Sequence, residues 1–243
     1  MSRIAWLGTV VHEGGIPIPY SPRMDDVIAM LLLGCFLLSS YVISRNRKFL
    51  LQLVKDFLLH RERTSIFASS TAADMRCMLL LILQTCVLMG VCIFNYFCDT
   101  NPLLIQQVPS YQLLGIYIGC CMLYFFFKWL VYSFLGWIFF DEGTTTHWME
   151  SYSTLLYYTG FVLFPFVLFN VYFDLSLPVA VACGLLLTIL VKILICFKWL
   201  KLFCSKVYGS FFLILYFCAL EIVPCCILYQ GMVQLNDLLI IKI

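Results

Sequence analysis

Six long apolar runs follow one another along this chain, each close to or above the roughly 20 residues that cross a bilayer as a helix. No water reaches the backbone inside hydrocarbon. Every N–H and C=O of such a run must therefore be satisfied within the segment, and the runs read as helices. They cover residues 22–43, 75–97, 111–140, 153–173, 178–197 and 207–230. Composition agrees. Of the 243 residues, 63% are hydrophobic and 12% charged, where a soluble domain has about 45–50% and about 25%. Mean hydropathy is +0.98. The expected fold is an all-α membrane protein, a six-transmembrane-helix bundle. No polar linker is long enough to separate domains, so residues 1–243 form a single polytopic domain.

Residues 1–20 are mixed in character and read as an irregular lead-in. Ser21 and Pro22 then make a helix start, serine as the cap and proline at the first helical position. Asp25 and Asp26 follow near the positive end of the helix dipole. After the first span, residues 48–60 place Lys48, Gln52, Lys55 and Asp56 on one face and leucines on another. That stretch is too short to span and is expected as an interfacial amphipathic helix. Residues 141–150 are polar and are expected as a loop.

The basic residues are unevenly placed. Arg45, Arg47, Lys48, Lys55, Arg61 and Arg63 lie between the first and second spans, and Lys198, Lys201 and Lys206 between the fifth and sixth. By the positive-inside rule those connections are cytoplasmic, which puts both termini outside.

The most informative side chain is Glu221, inside the sixth run and three residues before Pro224. An acid at mid-helix costs about 2.5–3.5 kcal/mol on insertion scales, so it is expected to face protein or water. The sixth run is accordingly expected at the centre of the bundle, with the other helices as its neighbours. Pro224 frees the Leu220 carbonyl and Pro165 that of Phe161, which predicts kinks in both helices. Two readings of Glu221 stand. It is an interhelical hydrogen bond or ion pair that fixes a kinked helix, or it is a proton or cation site. Lys128 in the third run is the obvious ion-pair partner, unless it snorkels to the interface. Lys192 lies close to the end of the fifth run and is expected to snorkel. Gly115 and Gly119 form a GxxxG that permits close helix packing, within the chain or between two copies.

Three segments carry a family resemblance: LILYFCALEIVPCCILYQ at 213–230, KWLVYSFLGWIF at 128–139 and TGFVLFPFVLF at 159–169. They resemble an uncharacterised bacterial family, the domain-of-unknown-function 4271 family, whose sixth helix has a similar glutamate–isoleucine–x–proline core. The chain departs from that pattern at Gln230, where a basic residue is expected. The resemblance implies an inner-membrane protein of Gram-negative bacteria and brings no assigned activity.

Motifs for catalysis are largely missing. HExxH, GxSxG and P-loop patterns do not occur, and the 13 cysteines form no CxxC pair. Most of those cysteines lie in apolar runs, where free cysteine packs as a small hydrophobe. His147 with Asp141, Glu142 and Glu150 reads as a solvated loop. No metal, cofactor or nucleic-acid partner is expected, and the chain is not read as an enzyme. The expected partners are the lipid bilayer and either another membrane protein or a second copy. The function expected is that of a structural or accessory subunit of a membrane assembly. The alternative is a small ion-coupled transporter or permease using Glu221.

Overall fold

A computed structural model of the chain describes the backbone of residues 21–59, 72–101, 104–105, 108–139, 142–173, 175–203 and 210–241, and side chains within 21–45, 76–138, 143–198 and 219–240. The described residues are helical, with no strand. After a 3₁₀ turn at Pro22–Met24 come α1 (Asp26–Leu59), α2 (Ala72–Thr100), α3 (Ser110–Phe139), α4 (Glu142–Tyr172), α5 (Leu177–Phe203) and α6 (Ser210–Ile241). Each contains a window long and apolar enough to span: Asp26–Arg45, Arg76–Thr100, Ser110–Ile138, Ser151–Tyr172, Leu177–Lys198 and Ala219–Ile240.

The boundaries differ from expectation in four places. The cap moves from Ser21 to Asp25, whose Oδ1 accepts the Val27 N–H at 2.9 Å. The amphipathic stretch is helical through Leu59, and it continues α1 without a break. The polar segment 142–150 is the first part of α4 rather than a loop. Trp148 and Tyr152, one turn apart, are buried against Tyr132 and Ile195, and their burial carries the helix back through the polar residues. Asp141 lies outside the described residues, as do the side chains of Glu142, His147 and Glu150. Finally, α6 runs on to Ile241 instead of ending near Gln230. Pro165 and Pro224 both lie inside unbroken helices.

The centre of the bundle is α2 and α4, not the sixth helix. Half of the spanning window of each is buried, against 11% for α6 and 6% for α5. Small residues explain this. A Cβ on Gly90 of α2 would lie 2.6 Å from Ile118 Cγ1 and 3.0 Å from Ile118 Cα, so the α2 backbone there lies against both the side chain and the backbone of Ile118 in α3. Gly160 of α4 similarly sits on Thr85 of α2. The Thr85 hydroxyl donates to its own Leu81 carbonyl at 2.9 Å and reaches the Leu156 carbonyl of α4 at 3.3 Å. Small residues at such crossings let backbones approach. The main core fills the space between α1, α2, α3 and α4 with Ile28, Leu88, Val91, Phe94, Leu113 and Val167. Cys35, Cys86, Cys98 and Cys121 pack in the same core as free thiols.

Gly115 and Gly119 do not serve as packing points among the described residues. Both face outward, and an added Cβ would meet nothing within 4 Å.

Candidate functional site

Because α6 is peripheral, its burial of a carboxylate needs an explanation. It meets α3 along an antiparallel seam of polar contacts. The Tyr117 hydroxyl donates to Asn236 Oδ1 at 2.7 Å. Tyr124 Oη and Cys225 Sγ lie 3.0 Å apart. Tyr132 donates to Glu221 Oε1. On α3 these residues, with Lys128, fall at i, i+7, i+11 and i+15. On α6 their partners run in reverse, with Glu221, Cys225 and Asn236 at i, i+4 and i+15, so each set lies on one helix face.

Glu221 is the focus of that seam. Lys128 Nζ donates to its Oε2 at 2.5 Å, and Lys192 Nζ of α5 donates to the same oxygen. Lys192 also reaches the Glu221 main-chain carbonyl at 3.4 Å, one residue along from the carbonyl that Pro224 frees. Three helices therefore meet at one carboxylate. The side chains of Lys128 and Glu221 are 3% and 8% exposed, and that of Lys192 is 28% exposed.

The depths agree. Lys128 is eleven residues from the end of α3, Lys192 eleven from the end of α5, and Glu221 eleven from the start of α6. At 1.5 Å rise per residue each lies about 16 Å in from the same end of the bundle. Lys128 therefore does not snorkel. Its ammonium is caged by the rings of Tyr132, Tyr124 and Tyr152, at 5.4, 5.7 and 5.7 Å from the centroids. Such contacts attract a cation over the ring face. Tyr132 is held in turn by edge-on contacts from Tyr152 and Trp148 of α4, with centroids 5.0 and 5.8 Å away.

Sequence reasoning singled out Glu221 and Lys128, and the structure brings them together. It assigned Lys192 to the interface, and the structure corrects this. It missed Tyr132 and Tyr124, though their heptad register with Lys128 was available as a signal. Gly115 and Gly119 lie apart from the cluster, on an outward face. Pro224 is one turn from Glu221, and Pro165 is on α4, in the neighbouring element. Among the described residues no group of histidine, cysteine or carboxylate side chains could hold a metal ion.

Six apolar helices with a shared intramembrane charge cluster define a multi-pass helical membrane protein. The family model described as Domain of unknown function (DUF4271) matches residues 28–232, and the chain belongs to that family. No curated protein matches the chain, and no solved structure does.

Proposed function

We propose that the chain is a structural or accessory subunit of a membrane assembly, with the Glu221 cluster as the pin that seats α6 against α3 and α5. The observation that carries this reading is the saturation of Glu221. Both carboxylate oxygens are engaged by donors of the chain itself, from two other helices. A carboxylate bound in this way joins helices. The outer faces of α5 and α6 add support, because they leave much apolar surface for lipid or a partner. The reading includes a placement in a bacterial inner membrane with both termini outside, on the distribution of lysine and arginine.

The test is purification of tagged protein at native level from its own host in mild detergent, with mass spectrometry of what accompanies it. A stoichiometric membrane protein is the expected result. A clean monomer or homodimer would contradict the proposal.

A second reading, an ion-coupled transporter, draws on one observation: a groove of about 500 Å³ between α5 and α6 reaches both Lys192 and Glu221. On that reading Glu221→Gln leaves an abundant protein without transport. A fully active Gln variant would remove it.

A further inference from the structure

We infer that the groove between α5 and α6 receives a transmembrane helix of a partner protein, and that this helix carries an aspartate or glutamate at mid-membrane depth that pairs with Lys192. The inference rests on the accessory-subunit reading and states the chemistry of the partner.

Charge comes first. The cluster holds two ammonium groups against one carboxylate, and both ammoniums lie on the same oxygen of it. Lys128 is enclosed by tyrosine rings, whereas Lys192 is 28% exposed on its side chain and lines the groove. An excess positive charge in a low-dielectric site is costly unless a carboxylate approaches it. Lys128 also borders a smaller groove between α3 and α6 but is 3% exposed, so the more open approach for a carboxylate is the α5–α6 groove on the Lys192 side.

The shape of the groove agrees. It is about 500 Å³, with Thr188, Cys196, Cys225 and Cys226 as small residues between the larger Ile222 and Tyr229. Small residues at a helix surface allow a second helix to come close. The helices on either side are the least buried in the bundle, at 6% and 11% of their spanning windows.

Depth selects the class of occupant. The groove runs along α6 from Glu221 to Gln230, eleven residues from each end of that helix. A lipid phosphate sits at the interface, above this level. A side chain on a spanning helix reaches it. A second copy of this chain does not fit, because Glu221 is the sole carboxylate near the middle of any of its spans.

The test uses the full-length protein in its own host, with Lys192→Met and Thr188→Trp variants. Lys192→Met removes the excess charge together with its own bond to Glu221 and leaves Glu221 paired with Lys128 and Tyr132, so its abundance and melting temperature are measured beside recovery, and Thr188→Trp supplies the comparison in which the cluster is kept. Thr188→Trp fills the groove and leaves the cluster untouched. The partner that co-purifies with wild type should fall about tenfold in both variants. A photoreactive residue at position 226 should attach to a partner segment bearing an intramembrane acid. Replacing that acid by lysine, with Lys192→Glu in this chain, should restore recovery. Undiminished recovery with both variants would overturn the inference and leave the accessory reading standing. So would crosslinking to lipid, or to a segment without an acid. Finding no partner with wild type would sink the accessory reading and the inference with it.

Discussion

On the proposed reading, the attachment of α6 depends most on Glu221. Replacing it by leucine strands the buried Lys128 ammonium and the half-buried Lys192 ammonium, and breaking a buried pair from one side costs about 3–5 kcal/mol. Glu221→Leu should therefore lower the melting temperature in mild detergent well below that of Glu221→Gln, which keeps an acceptor oxygen for Tyr132. Equal melting of the two would show that the charge does not hold the helix. Tyr132→Phe removes the hydroxyl that donates to Glu221. It keeps the ring between Trp148 and Tyr152 and loses a hydrogen bond to a charged group, about 1.5–3 kcal/mol. A melting temperature unchanged from wild type would count against that bond. The glutamate and Lys128 were legible because charges in apolar runs are rare enough to seek each other. Lys192 was not. Its apolar run closes at residue 197, which puts it near an interface, but α5 continues to Phe203. Helical rise then places it at the level of Lys128 and Glu221.

Among the elements, close approach is made by isolated glycines rather than by the GxxxG. A Cβ at Gly90 would meet the backbone of Ile118, which cannot swing aside. Gly90→Ala should destabilise, with overpacking of this kind costing about 1–3 kcal/mol. Gly119→Ala meets open space and should leave stability unchanged or raise it, since alanine favours helix over glycine by about 1 kcal/mol. Thermal unfolding of the two variants checks this, and a reversed order would contradict the α2–α3 crossing. The pattern Gly-x-x-x-Gly marks a surface that permits close packing, and composition does not say which way that surface points. The heptad of Tyr117, Tyr124, Lys128 and Tyr132 was legible in principle, because it selects one face of α3. Its partner face on α6 becomes visible only when that helix is carried through to Asn236. The polar start of α4 was misread as a loop for a related reason. Helix there is decided by burial of Trp148 and Tyr152 on a neighbour, which local polarity does not reveal.

At the scale of the molecule, α1 to α4 form a packed bundle, and α5 and α6 lie along it with broad outward faces. Six spans were legible from apolar length alone. Their arrangement was not, because α5 and α6 are as apolar as the helices that form the core and the distinction lies in which face meets small residues. Orientation belongs to this scale too. On the proposed placement, a single cysteine at position 60 in a cysteine-depleted background should react with an impermeant label only after the membrane is opened. Labelling in intact spheroplasts would reverse the topology. The central claim is that the charge cluster seats α6 on this bundle, and a double-mutant cycle on Lys128→Met and Glu221→Leu tests it most directly. The two residues touch at 2.5 Å, and contacting pairs couple by about 0.5–3 kcal/mol. The double variant should therefore be less destabilised than the sum of the single variants. Losses that simply add would mean that the pair does not hold the helix.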